Sequence, residues 1–263
     1  MLMIADIRAR LLTVAAVLPV LRRGAIRPLL VLVAIYPLGF SHQAASALPW
    51  QPRSAARLEQ AATGQSDRIT RPTSEPYKGD LSIFEDPRRD ERLQINRVMD
   101  LLHIKEGSGV ADIGAGSGWF SVRAARRVGP GGSVYAVEIN RDYLKHIEER
   151  ARKEDLANIH TVLGKEDDPL LPPHSIDAVL ILKTYHEIAQ PVLLLEHLRD
   201  AMRPGALVGI IDRNGKGNDH GLSSNTVIAE AGRAGFTLVD QYDFVKPDGM
   251  DYFLVFEARV RTQ

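Results

Sequence analysis

Residues 110–120 read VADIGAGSGWF, in which an apolar stretch leads through Asp112 into three alternating glycines. The apolar stretch predicts a buried strand, and Phe120, Ala124 and Val128 recur every four residues, as on one face of a helix. Glycines permit a tight turn and a close approach of a ligand to the backbone, and the first N–H groups of a helix attract a negative group. The stretch therefore predicts a ligand-binding loop of a doubly wound α/β sheet.

The spacing of these glycines excludes two common phosphate-binding loops. A dinucleotide fingerprint needs a small residue at its sixth position, but counting from Gly114 or Gly116 that position holds Trp119 or Ser121. The Gly-Lys-Ser/Thr ending of a P-loop is also missing. Asp112 can instead hold an ammonium group, while the loop N–H groups can hold a carboxylate. The loop therefore favours the amino-acid end of a ligand and argues against a nicotinamide oxidoreductase.

A second acid lies one strand further along the chain. Glu138 ends the next predicted strand, twenty residues after Gly118. A carboxylate at this point of such a fold can accept hydrogen bonds from both ribose hydroxyls. A ligand with an amino acid at one end and a nucleoside at the other is S-adenosylmethionine (SAM).

Apolar strands and helices alternate from about residue 84 onward, beginning with a helix predicted over residues 90–103. Apolar strands that are each followed by a helix predict a parallel sheet covered on both faces. The last two strands are joined by Pro247-Asp248-Gly249, too short for a parallel crossover, which predicts an antiparallel hairpin. The predicted fold class is α/β, a Rossmann-like, seven-stranded, mostly parallel sheet with an antiparallel last strand and helices on both faces. The strands are predicted near residues 109–113, 133–138, 159–163, 176–182, 207–212, 237–244 and 252–259.

This order of motifs resembles the class I SAM-dependent methyltransferases over about residues 77–260. Residues 112–118 resemble the first motif of that family, and residues 137–140 resemble its ribose-binding strand end. The acidic stretch at 165–172 resembles the loop whose acid contacts the adenine amino group. Spacing to Leu171-Pro172 favours Asp167, with Glu166 and Asp168 as alternatives. Residues 182–187 resemble the segment that faces the methyl group, and residues 203–212 resemble the turn and fifth strand.

The resemblance implies SAM as the cofactor and a set of residues that bind it. That set is Asp112, Ile113, Gly114, Gly116, Ser117, Gly118, Glu138, Ile139, Asp167 and Lys183. Residues 84–89, together with the N-terminal pattern described below, resemble a subgroup of exported or membrane-attached bacterial methyltransferase-like proteins. That subgroup brings no defined substrate.

His186 and Tyr185 are the candidate catalytic residues, because they follow the fourth strand where an acceptor would meet the cofactor. The histidine is a candidate general base and the tyrosine a candidate for orienting the acceptor. Packing alone is the competing interpretation of both, since positioning supplies most of the rate in many methyltransferases. His186-Glu187 does not begin a zinc-protease motif, because Gln190 occupies the place of the second histidine. No metal is predicted.

Charge and cysteine content limit the remaining function classes. The chain has 33 Lys+Arg and 33 Asp+Glu, so its formal net charge is zero and nucleic acid is not the expected partner. It has no cysteine, which excludes disulfides, thiolate metal sites and a cysteine nucleophile.

The first 47 residues differ from the remainder of the chain. They hold five arginines and one acid, and an apolar run at 29–40 follows the last arginine and ends near Ala45-Ser46-Ala47. A positive flank, a short apolar run and small residues are typical of a secretory signal. We predict a signal peptide or membrane anchor at 1–47, a flexible linker at 48–80 and a methyltransferase domain at 81–263. The expected location is periplasmic or secreted, with inner-membrane anchoring if the segment stays uncleaved.

The sequence thus predicts an enzyme that transfers a methyl group from SAM to an unidentified small-molecule or lipid-like acceptor. The alternative is a non-catalytic exported binding module that retains the fold. It arises because SAM is made in the cytoplasm and an exported enzyme would meet little of it. Oligomeric state is not predicted.

Overall fold

The computed structural model describes residues 70–73, 77, 79–216, 220–245 and 250–259. Seven strands form one sheet in the order β3-β2-β1-β4-β5-β7-β6. The first five strands pair in parallel, and β7 lies antiparallel between β5 and β6. The predicted fold class, including the antiparallel hairpin, is confirmed. The strands are β1 (Gly109–Ile113), β2 (Ser133–Glu138), β3 (Ile159–Leu163), β4 (Ile176–Leu182), β5 (Met202–Arg213), β6 (Phe236–Tyr242) and β7 (Asp251–Ala258).

Six α-helices in the described ranges connect and cover these strands. They are α1 (Arg89–Leu93), α2 (Ile95–Leu101), α3 (Trp119–Val128), α4 (Arg141–Lys153), α5 (Pro191–Ala201) and α6 (Ser224–Arg233). Short 3₁₀ helices lie at Leu81–Phe84 and Tyr185–Glu187. Each helix of the described ranges is too short or too polar to cross a membrane.

The helix predicted over residues 90–103 is two helices. Gln94 has a φ of 47°, in the left-handed region, and separates α1 from α2. Leu93 and Ile95 are both buried, although residues two apart point in nearly opposite directions on an unbroken helix. The break at Gln94 lets both side chains reach the core.

Alternation along the strands sends side chains to two separate cores. Along β4, Val179 and Ile181 pack with α5 and α6, whereas Ala178 and Leu180 pack with α1, α2 and α3. Both faces of the sheet are therefore covered, which explains why every residue of β1 is buried.

The predicted signal peptide or anchor at 1–47 lies outside the described residues, as does most of the predicted linker. The described part of that linker packs on the domain. The backbone N–H of Arg71 donates to the carbonyl of Ala189 at 2.9 Å, and its guanidinium pairs with Glu230 at 2.7 Å. The carbonyl of Tyr77 accepts a hydrogen bond from the hydroxyl of Tyr143. These residues are thus part of the folded unit, and the domain boundary stays a prediction.

Candidate active site

A cavity of about 780 Å³ opens at the carboxyl ends of β1, β2 and β4. In a parallel sheet the loops that follow the strands meet at this edge, and ligands of doubly wound folds bind there. The volume lies within the range of small-molecule sites, about 300–1,000 Å³. Asp112 of β1, Glu138 of β2 and Lys183 after β4 all line it. The topology therefore brings motifs far apart in the chain into one cavity.

The glycine loop forms the floor of this cavity beside β1. Gly114 has a φ of 72°, and a Cβ at this position would overlap the side chain of Thr184. A residue with a side chain would therefore be strained in its backbone and crowded by the loop after β4. The requirement for glycine at position 114 follows from both effects.

Asp112 is buried beneath the glycine loop with 2% of its surface exposed. Ser121 of α3 donates its hydroxyl to the Oδ2 atom of Asp112 at 2.6 Å. Burial raises the pKa of Asp112 to about 6, while the bond from Ser121 and the positive charge of Arg89 act in the opposite direction. A carboxylate held in this way can bind an ammonium group, because a buried negative charge is strongly stabilised by an opposite one.

Glu138 holds the glycine loop and the start of the next helix through its carboxylate. Its Oε2 atom accepts the N–H of Gly116 at 3.0 Å. Its Oε1 atom accepts the N–H groups of Ile139 at 2.8 Å and Asn140 at 3.2 Å. Each carboxylate oxygen has two lone pairs, so the residue retains acceptor capacity toward the cavity that it lines.

The structure brings most of the other predicted cofactor residues to the same place. Ile113, Ser117 and Ile139 line the cavity, and the side chain of Ile139 is exposed there. The Ser117 hydroxyl donates to Glu85 at 2.6 Å, so this side chain fixes the loop to the segment before α1. Gly118 lies outside the cavity lining and caps the start of α3 in a left-handed conformation.

Of the three acids in the loop after β3, Glu166 lines the cavity, whereas Asp167 and Asp168 do not. Lys165 lines the cavity as well. The carbonyl of Asp167 lies 2.8 Å from the Nδ1 atom of His197 on α5, so the residue turns toward that helix. The assignment of Asp167 as the adenine contact does not match this position.

Lys183 follows β4 in a left-handed conformation, with a φ of 56°. Its Nζ atom lies 2.5 Å from the Oδ2 atom of Asp251, which begins β7 and is buried. The ion pair joins the loop after β4 to the antiparallel end of the sheet, and both residues line the cavity. Lys183 thus lies in the wall of the site with its charge balanced.

His186 lies in the cavity wall and is held by a carboxylate from below. Its Nδ1 atom lies 2.9 Å from the Oδ1 atom of Asp212, and its backbone N–H donates to Oδ2 at 3.0 Å. Burial lowers the pKa of His186, but Asp212 and Glu187 outweigh it and the pKa is raised overall. The Nδ1 contact fixes the ring and leaves Nε2 as the atom that is available for other contacts.

Tyr185 does not face the cavity. It is fully buried, and its hydroxyl donates to the Oε2 atom of Glu230 at 3.0 Å. The guanidinium of Arg71 lies 5.3 Å from the centre of its ring. Burial, followed by the charge of Glu230, raises the pKa of Tyr185 well above its usual value. The predicted role in orienting an acceptor does not fit this position, because Tyr185 anchors the segment at residue 71 instead.

Several polar residues of the cavity wall were not singled out from the sequence as site residues. Among them are Arg89, Glu187, His220 and Asp251. Arg89 lies 4.4 Å from the ring centre of Trp119 and donates to the carbonyl of Phe84 at 2.7 Å. Arg89 lies in the stretch 84–89 and Glu187 in the stretch 182–187, both of which resemble family segments, but neither stretch indicated which side chain faces the cavity. His220, between β5 and α6, and Asp251, at the start of β7, belong to no recognised motif.

Comparisons with known proteins match this arrangement. A family model described as a methyltransferase domain matches residues 110–205. A solved structure of a SAM dependent methyltransferase from Aquifex aeolicus is 25% identical, with a TM-score of 0.61, and the match covers 68% of this chain and 98% of that one.

Two curated relatives extend the comparison. Demethylmenaquinone methyltransferase of Listeria welshimeri is 25% identical over 115 residues, 44% of this chain and 49% of that protein. Nocamycin O-methyltransferase of Saccharothrix syringae is 34% identical over 83 residues, 32% of this chain and 30% of that protein. The chain thus spans about half the length, or less, of these curated relatives.

Proposed function

Because the chain belongs to the class I SAM-dependent methyltransferases, we propose that it transfers a methyl group from SAM to a nucleophilic atom of a small molecule. The observation that carries this proposal is that Asp112 and Glu138 line one cavity. Their strands are neighbours, and Asp112 pairs with Ala136, two residues before Glu138. The two carboxylates therefore lie on the same face of the sheet.

The residues present fit the family's cofactor from end to end. Asp112 fits the ammonium group of the methionyl end, and the guanidinium of Arg89 fits its carboxylate. Glu138 fits the ribose hydroxyls. Ile139 offers an apolar surface to the adenine ring, and Glu166 offers an acceptor for its amino group. Each part of SAM thus finds a residue of complementary chemistry.

The reaction needs alignment more than it needs an acid or a base. When bound, SAM supplies an electrophilic methyl carbon, whose bond to sulfur breaks with the electron pair remaining on sulfur as the acceptor's lone pair forms the new bond. The protein must hold the acceptor atom in line with that bond and exclude competing water. Lys183, His186 and Asp251 form the wall where the acceptor would lie.

A small-molecule acceptor is supported by the names of the relatives, one a demethylmenaquinone methyltransferase and one a nocamycin O-methyltransferase. A lipid-like acceptor is the finer part of the proposal. The alternative of a non-catalytic module finds no support in the described cavity. Its cofactor half, the part lined by the glycine loop, has both the Asp112 and the Glu138 carboxylates.

The first experiment titrates the full chain with SAM in a calorimeter, beside Asp112→Asn and the exposed control Asp142→Asn. We expect binding by the wild type and by the control, with weaker binding by Asp112→Asn. Incubation with methyl-labelled SAM and a panel of phenols, amines and quinone-like molecules then measures transfer. No binding at millimolar SAM would contradict the proposal, and binding without transfer to any acceptor would favour the non-catalytic module.

We further propose export, with residues 1–47 as a cleaved signal or as an anchor. The support is the arginine-flanked apolar run of the sequence. N-terminal sequencing of the protein recovered from cell fractions tests it. An N-terminus just after Ala47 outside the cytoplasm, or an intact one in the membrane fraction, is expected. An intact N-terminus in the cytoplasmic fraction would overturn it.

A further inference from the structure

Three side chains with metal-binding atoms lie close together in the acceptor half of the cavity, the part lined by Lys183, His186 and Asp251. His186 and Glu187 belong to the 3₁₀ helix after β4, and His220 lies between β5 and α6. The Oε1 atom of Glu187 lies 3.3 Å from Nε2 of His186 and 3.4 Å from Nδ1 of His220. One ligand atom from each residue can be chosen so that all three lie within 4.8 Å of one another.

These distances suit a shared cation. Zinc–nitrogen and zinc–oxygen bonds of about 2.0–2.2 Å place neighbouring ligands of a tetrahedral ion about 3.3–3.6 Å apart. Both separations from Glu187 fall in that range. The side chain of His220 is 76% exposed, so it can turn toward His186 without disturbing the core. The cluster is therefore close to a three-ligand geometry.

A second observation concerns the orientation of His186. Asp212 is fully buried and lies 2.9 Å from the Nδ1 atom of His186. Metal-binding histidines almost always have such a carboxylate or carbonyl on the ring nitrogen that does not bind the metal. The contact leaves the Nε2 atom, which lies beside Glu187, as the ligand atom. Asp212 would thus be a positioning residue for a metal ligand.

We propose that His186, Glu187 and His220 bind a first-row divalent cation, with Zn²⁺ as the best match. Two imidazoles and one carboxylate are a known set for catalytic zinc, whereas Mg²⁺ and Ca²⁺ prefer oxygen ligands. All three residues line the cavity, so a molecule bound in the cavity would supply the fourth ligand. The sequence predicted no metal because Gln190 breaks the local motif, but the third ligand lies 33 residues after Glu187.

The role of the cation, unlike the site itself, rests on the proposed function. An acceptor hydroxyl bound at the fourth position would have its pKa lowered and release its proton to water. Its oxygen would then form the bond to the methyl carbon while the carbon–sulfur bond breaks and its electron pair remains on sulfur. In the metal-bound protein His186 would be a metal ligand and not a general base, because the single lone pair of Nε2 would be bound to the cation.

The experiment uses the full chain after removal of metal with a chelator. Zn²⁺ is titrated by calorimetry and Co²⁺ by its visible absorption, for wild type, His220→Ala and Glu187→Gln. His146→Ala is the matched control, because His146 is exposed on α4. Removing a residue that only hydrogen-bonds to a metal ligand already lowers the affinity for the metal by about 10–100-fold. We therefore expect at least a tenfold weakening in His220→Ala and Glu187→Gln, and none in His146→Ala.

SAM is titrated into the same samples to keep the two proposals separate. SAM binding retained in His220→Ala shows that this variant is folded. If His220→Ala does not fold, the Zn²⁺ affinity of Glu187→Gln is compared with that of His146→Ala instead. Equal Zn²⁺ affinity in His220→Ala and His146→Ala, or no binding by the wild type at millimolar Zn²⁺, would overturn the metal site. If the wild type binds Zn²⁺ through His220 but does not bind SAM, the proposed function is overturned and the metal site is not.

Discussion

Asp112→Asn is expected to stabilise the folded protein while it weakens the binding of SAM. The carboxyl group of Asp112 is buried, and its pKa is raised from 3.8 to about 6, with burial as the largest cause. At neutral pH the folded protein must therefore hold the negative charge of the Asp112 carboxylate away from water, which costs free energy. An asparagine has nearly the same shape, carries no charge and can still contact Ser121, so it removes that cost.

The size of the effect follows from the two pKa values. In the unfolded chain the carboxyl loses its proton near pH 3.8, whereas in the folded protein it keeps the proton to about pH 6. The penalty is therefore nearly absent below pH 3.8, grows as the pH rises between these values and is complete above 6. At about 1.4 kcal/mol for each pH unit, it amounts to about 0.5 kcal/mol at pH 4 and about 3 kcal/mol at pH 8.

Urea unfolding of the full chain at pH 4 and pH 8, followed by the fluorescence of buried Trp119, measures this difference. Asp112→Asn should gain stability over the wild type mainly at pH 8. Asp142→Asn, on the exposed face of α4, should behave like the wild type at both pH values. An equal gain or an equal loss for Asp112→Asn at pH 4 and pH 8 would refute the reasoning.

Three further variants test other parts of the site. Glu138→Gln should weaken SAM binding by about tenfold or more in calorimetry, because hydrogen bonds to a charged group contribute about 1.5–3 kcal/mol. The control is Glu149→Gln at an exposed position of α4. Equal SAM affinities of the two variants would contradict the ribose contact. Gly114→Ala should lose about 1–3 kcal/mol more in urea unfolding than Gly205→Ala, since both have a positive φ but only Gly114 is crowded by a neighbouring side chain. Tyr185→Phe should lower stability by about 1–3 kcal/mol and leave methyl transfer unchanged; a loss of transfer without a loss of stability would restore its predicted role.

The cofactor half of the cavity was predictable because its residues lie in short contiguous motifs. Residues 109–128 form one strand–loop–helix unit, and Glu138 ends the strand beside it. A parallel sheet brings the carboxyl ends of adjacent strands together, so the motif order alone placed these residues at one edge. The fold and the family were confirmed for this reason, and the roles of the individual residues stay predictions.

Tyr185 shows where reasoning from sequence position fails. It was grouped with His186 because both follow the fourth strand, where an acceptor would meet the cofactor, but the two lie in a 3₁₀ helix. Such a helix has three residues per turn, so consecutive side chains point about 120° apart. When His186 faces the cavity, Tyr185 must face another direction, which here is the core. The choice among Glu166, Asp167 and Asp168 met a similar difficulty, because an irregular loop with three neighbouring acids has no periodicity to decide which one faces the cavity.

The acceptor half depends on residues that only the tertiary structure brings together. His186 follows β4, Asp212 lies near the end of the adjacent strand β5, and Asp251 begins the antiparallel strand β7. No local motif connects them. The Asp112 and Glu138 carboxylates lie on β1 and β2, whereas His186, Asp212 and Asp251 lie on or after β4, β5 and β7. Substitutions in the second set are therefore expected to change the acceptor without disturbing those two carboxylates. A cation at His186 would strengthen that separation, because it would bind the acceptor through a site that shares none of the residues expected to hold SAM.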